Sequence, residues 1–149
     1  MKSLNQYFAE YEASHQVFGN KVCHLIGIPS IMVSLLALLS FVSIGQWLSL
    51  PDSVAVWMNG GTLLRFVASL LYIKLNWKLG IPFSILVFGI YLLSLRLSMT
   101  VTLILFIGGW VVQFVGHLVF EKKQPAFFSN LLHALIGPLW FFAKALRFR

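Results

Sequence analysis

Charge is scarce in this chain. Aspartate, glutamate, lysine and arginine make up 10% of its 149 residues, against about 25% in a domain that faces water on all sides. Acids are the scarcer sign, four against eleven bases. The single cysteine, Cys23, has no internal partner, which excludes a disulfide scaffold. No Gly-x-Gly-x-x-Gly or Walker pattern occurs, so no loop is built to cradle a nucleotide. Histidine is limited to four residues, too few for the repeated histidine boxes of membrane desaturases and hydroxylases.

Apolar side chains are abundant, at 59%, and the mean hydropathy is +0.88. Runs without formal charge cover Val22–Pro51, Leu79–Leu95, Leu97–Phe120 and Gln124–Ala143, that is 30, 17, 24 and 20 residues. About 20 apolar residues carry a helix across a bilayer core. The pattern excludes a water-soluble globule and a disordered chain and predicts a polytopic membrane protein. The net charge of +7 comes from bases at the ends of apolar runs, where they face anionic headgroups and fix topology. No basic stripe with exposed aromatics is present, so nucleic acid is not an expected partner.

The predicted fold is all-α: a single transmembrane domain over residues 1–149, built as an integral membrane helical bundle. Residues 3–17 form an amphipathic helix with Leu4, Tyr7, Phe8 and Tyr11 on one side. The acids of residues 1–21 and the length of the following run argue against a cleaved signal. Phe18-Gly19-Asn20 is expected to break the chain, Asn20 capping the next helix. Four spans follow at about 21–48, 58–76, 79–95 and 97–120, with Arg65 in the second turned to the bundle interior or snorkelling. Residues 126–146 form a helix broken at Gly137-Pro138 that lies at, or dips into, the interface. As a fifth crossing it would carry Lys144, Arg147 and Arg149 outward, against the positive-inside rule. The same rule puts Lys2, Lys21, Lys74, Lys78, Lys122 and Lys123 in the cytoplasm.

That topology brings His15, His24, His117 and His133 to one depth on the cytoplasmic side. Asn20 and His24 share a helix face, and Gln113, His117 and Glu121 form a polar stripe at successive four-residue steps. Gly109 and Gly116 let a second helix approach it. Imidazoles without sulfur suit iron, zinc or copper, and Asn20 or Glu121 could orient a ring nitrogen. A lone histidine at a helix end is more often a hydrogen-bonding residue, and the tryptophans fit interface anchors. A lipid-binding or scaffolding protein, or a haem protein with His24 and His117 as axial ligands, therefore stays open at this point.

Taken in order, Tyr11-Glu12-Ala13-Ser14-His15, Asn20-Lys21, His24, Ile28-Pro29, Gly109-Trp110, Gln113-Phe114, Gly116-His117, Glu121-Lys122, Pro125-Ala126 and Ile136-Gly137-Pro138-Leu139 resemble the Mpo-type 2-hydroxy-fatty-acid dioxygenases. The resemblance implies an Fe(II)-dependent dioxygenase that uses O2 to shorten long-chain 2-hydroxy fatty acids by one carbon, with the tail among membrane lipid. It implies His15, His24 and His117 as catalytic iron ligands. His133 is a fourth candidate, at a position where many members carry another polar residue such as glutamine. Asn20, Gln113 and Glu121 would support the ligands or the substrate, and Lys21 or Lys122 would draw the carboxylate to the cytoplasmic mouth. No organic cofactor is implied. A bacterial inner membrane is favoured over the endoplasmic reticulum by the short loops.

Overall fold

A computed structural model describes residues 2–125, 128, 130 and 132–148. Its regular structure is helical, in eight elements: α1 Leu4–Ala13, α2 Phe18–Ser40, α3 Ile44–Trp47, α4 Asp52–Ala55, α5 Gly60–Leu75, α6 Trp77–Ser94, α7 Met99–Val115 running on as a π-helical turn Gly116–Glu121, and α8 Leu132–Ala145. Among the described residues, three stretches are long and apolar enough to cross a membrane: Phe18–Ser40, Trp77–Ser94 and Met99–Glu121. Their outward faces carry exposed Leu25, Ile26, Ile85, Leu93, Ile104 and Ile107, an apolar surface of the kind that lipid covers. The chain is a membrane protein.

α1 begins where the Ser3 hydroxyl accepts from the Gln6 backbone N–H and the Gln6 side chain accepts from the Ser3 backbone N–H at 2.8 Å, a capping box. Leu4, Tyr7 and Tyr11 are its buried face, as the sequence predicts, and Tyr7 and Tyr11 pack on Ile136 and Trp140 of α8. Lys144 reaches back to Glu12 at 3.0 Å. Trp140 therefore belongs to the core, 5% exposed, whereas Trp47 and Trp77 stay outside as interface anchors would.

α2 packs most extensively against α7, and α5 against α6. The α2–α7 contact depends on missing side chains. A Cβ on Gly27 would lie 2.9 Å from Gln113 Cγ, and one on Gly109 would lie 2.9 Å from Ile31 Cγ1. Asn76 joins α5 to α6 in one residue, its Oδ1 capping Leu79 N at 3.2 Å.

The boundaries differ from expectation in three places. The first break falls at Ser14–Val17 and not at Phe18–Asn20; Gly19 and Asn20 lie inside the first turn of α2. Val17 offers no side-chain cap, and a carboxylate distant in sequence does that work, as described below. The first span stops at Ser40 and not near Leu48, because Ser43 caps a new short helix through Gln46 N at 3.3 Å. α8 runs through Gly137-Pro138 as one continuous helix and is not broken there. Pro138 removes a single backbone donor, and Gly137 leaves room for Tyr11, whose Oη lies 2.9 Å from where a Cβ would stand. Residues 126, 127, 129 and 131 of the expected 126–146 helix lie outside the described residues.

Candidate metal centre

Three imidazoles converge at one end of the bundle. Each of His15, His24 and His117 is buried, and one nitrogen from each lies within 4.8 Å of the others. The ring centroids are 4.4 Å apart for His15 and His24, 4.9 Å for His15 and His117, and 4.7 Å for His24 and His117, all edge to face. The four-residue segment between α1 and α2 brings His15 back over the start of α2, which removes the conflict that a single uninterrupted helix would impose at a spacing of nine.

Local backbone sets the orientation of two rings by the same device. His15 Nδ1 lies 2.6 Å from Tyr11 O and His24 Nδ1 lies 3.0 Å from Asn20 O, each an acceptor four residues earlier. A carbonyl only accepts, so both Nδ1 atoms carry the hydrogen and both Nε2 atoms present lone pairs. Those two Nε2 atoms are 2.9 Å apart. Facing lone pairs at that distance require a cation between them, a proton or a metal ion. Burial opposes the proton, holding the His15 pKa down to about 4. His117 Nδ1 is buried with no hydrogen-bond partner among the described residues. Three neutral imidazoles, a facing lone-pair pair and an orphaned ring nitrogen fit a metal ion, and the sulfur-free donor set suits iron, zinc or copper.

A second layer holds the histidines in place. The Glu121 carboxylate accepts from Gln16 N at 3.1 Å, Val17 N at 3.0 Å and Asn20 Nδ2 at 3.1 Å. It thereby caps α2 from across the bundle and ties the π-helical turn carrying His117 to the segment carrying His15 and the helix carrying His24. A π turn at such a place is typical of functional sites. Tyr11 stacks on His15 with centroids 3.9 Å apart. Tyr11 was not among the expected site residues, although its spacing from His15 equals that of Asn20 from His24.

The remaining candidates are less closely engaged. Gln113 is buried and lines the cavity next to the histidines. His133 also lines that cavity, but the three-nitrogen group does not include it. Its Nε2 lies 3.3 Å from Glu10 Oε2, and it meets Tyr7 edge on. Lys2, hydrogen-bonded to Glu10, holds that carboxyl below its usual range. Lys122 is exposed with a left-handed backbone, φ 54°, and neither it nor Lys21 lines the cavity.

The cavity, of about 190 Å³, runs from the histidines into an apolar interior and reaches Arg65. Arg65 faces the bundle interior, as one of the two expected orientations has it, with its guanidinium 4.9 Å from the Phe88 ring centroid and 5.5 Å from that of Tyr91. The arrangement can bind a metal ion at one end and an extended apolar chain behind it. It does not suit haem, because His24 and His117 touch each other and His15 fills the remaining side, which leaves no gap for a macrocycle.

Comparison with known proteins adds independent information. The family model described as Mpo1-like, 2-hydroxy-palmitic acid dioxygenase, matches residues 1–149. The 2-hydroxy-palmitic acid dioxygenase MPO1 of Saccharomyces cerevisiae is 33% identical over 135 residues, covering 89% of this chain and 73% of the yeast protein. No solved structure matches.

Proposed function

Since the chain belongs to the Mpo1-like 2-hydroxy-palmitic acid dioxygenase family, we propose that it cleaves the C1–C2 bond of long-chain 2-hydroxy fatty acids with Fe(II) held by His15, His24 and His117. The observation that carries this reading is the buried three-imidazole group closing one end of an apolar cavity. The reaction balances without an organic cofactor: the 2-hydroxy acid and O2 give the acid one carbon shorter, carbon dioxide and water. C1 and C2 are oxidised as the bond between them breaks, and O2 takes up their electrons.

Bound iron would supply activation of O2 and an anchor for the carboxylate and 2-hydroxyl. The protein's own part is positioning. The Tyr11 and Asn20 carbonyls keep the Nδ1 hydrogens and so aim both Nε2 lone pairs inward. Tyr11 covers His15, and Ile28, Ile31 and Met32 form a wall behind the histidines that excludes water and receives the tail.

Four crossings are part of this reading. α5, at 16 residues, spans about 24 Å, somewhat less than a ~30 Å hydrocarbon core, and a short helix is accommodated by thinning or snorkelling. The histidine end then lies with Lys21, Lys74, Lys78, Lys122 and Lys123 on the cytoplasmic side. Lys21 and Lys122 act on an incoming carboxylate through their field, not by contact.

Purified protein supplied with Fe(II), O2 and 2-hydroxypalmitate should release the fifteen-carbon acid, read by mass spectrometry, with about one iron per chain. The reading fails if iron-loaded protein leaves the substrate intact, or if full metal content survives in both His24→Ala and His117→Ala.

A further inference from the structure

Building on the acyl substrate proposed above, we propose that Arg65 is the chain-length stop of the cavity: its guanidinium, laid against the Phe88 and Tyr91 rings, closes the end remote from the histidines. The register of each helix agrees on this placement. On α2 the lining residues form one stripe from His24 through Ile28 and Met32 to Leu36, twelve residues or about 18 Å of helix. α5 runs the other way. Its Tyr72 hydroxyl donates to Leu135 O at 3.1 Å, near His133, whereas Arg65 lies two turns toward the opposite end. On α6 the lining residue is Val87, and the rings that hold the guanidinium, Phe88 and Tyr91, lie beyond it. On α7, Trp110 lines the cavity two turns above His117.

An arginine at such a position is costly in a bilayer, and no carboxylate among the described residues pairs with it. Among the same residues Arg65 Nε, which is buried, has no hydrogen-bond partner. Ring faces attract a guanidinium, so the group has a fixed resting place across the end of an otherwise apolar tube. Its length also fits the proposal. An acyl chain filling one leaflet spans about 15 Å, half of a ~30 Å core, close to the distance from His24 to Leu36. A longer tail must push the guanidinium off both rings.

The test is a binding ladder on iron-loaded, detergent-solubilised full chain under nitrogen, where no turnover occurs, in which saturated 2-hydroxy acids of increasing length displace a fluorescent fatty acid. In the native protein, affinity should climb by up to about fourfold per added methylene and then level off or fall once the tail reaches Arg65. In Arg65→Ala the climb should continue to longer acids, while shorter ones bind as before. Ala68→Phe, which fills the cavity one turn nearer the histidines, should move the break to shorter acids. A uniform loss across all lengths in Arg65→Ala, or an unmoved break in either variant, overturns the proposal. Turnover with Fe(II) and O2 is scored separately. A native binding break without turnover would sink the dioxygenase reading and leave the stop intact, and turnover with an unmoved break would do the reverse.

Discussion

A single carboxylate links the three ligand-bearing segments. Glu121 takes the backbone donors of Gln16 and Val17 just before α2 and the side-chain amide of Asn20 in its first turn, so removing it strands the buried Asn20 amide at about 1–3 kcal/mol and releases the other two to water. Glu121→Ala is expected to lower the midpoint of thermal unfolding in detergent and to weaken metal binding about 10–100-fold, as loss of a ligand-supporting group does elsewhere. Glu121→Gln keeps one acceptor oxygen and should recover part of both, read by metal titration on the same samples. The stripe containing Glu121 is legible in the sequence as Gln113, His117 and Glu121 at four-residue steps. Its role as a cap for another helix is not, because periodicity within one helix carries no information about which N-terminus lies opposite. Likewise Asn20, expected as a cap, instead gives its carbonyl to His24 and its amide to Glu121.

At the level of elements, the α2–α7 pair determines whether His24 and His117 meet. Gly27→Leu would place side-chain atoms where Gln113 and the Gly109 carbonyl already stand; overpacking of that kind costs about 1–3 kcal/mol. The variant should unfold more easily and also bind metal less tightly, since the same contact sets the distance between the two rings. Asn76→Ala offers a comparison. It should cost about 1 kcal/mol through the lost cap while leaving metal affinity unchanged, because the α5–α6 corner touches no ligand. The existence and order of α1, α2 and α5 to α8 follow from the helical spacing and the apolar runs, whereas the short α3 and α4 do not, and the Asn76 corner is found within a residue or two. The ends of the first span and the continuity of α8 are not, since both depend on tertiary partners: Glu121 at one end of α2, and Tyr11 against Gly137.

For the whole molecule, the proposed four crossings with both ends cytoplasmic make a prediction about accessibility. In a Cys23→Ala background, a membrane-impermeant thiol reagent applied outside intact cells should label Ser49→Cys and spare Lys123→Cys and Arg147→Cys; breaking the cells should expose the latter two. Labelling of all three from outside would overturn the topology. The positive-inside pattern is the sequence feature behind this proposed arrangement, whereas the apolar tube with a cation at its far end leaves no mark in the sequence, because a cavity is a property of how several helices fail to touch. The candidate metal centre also draws its histidines from the segment before α2, from α2 itself and from the end of α7. Chains are made from the N-terminus and their early parts organise first. His15 and His24 are therefore made before the π-helical turn that carries His117 and Glu121, the carboxylate that joins their segments. A metal ion held by all three rings would then report that the end of α7 has reached its place against α2.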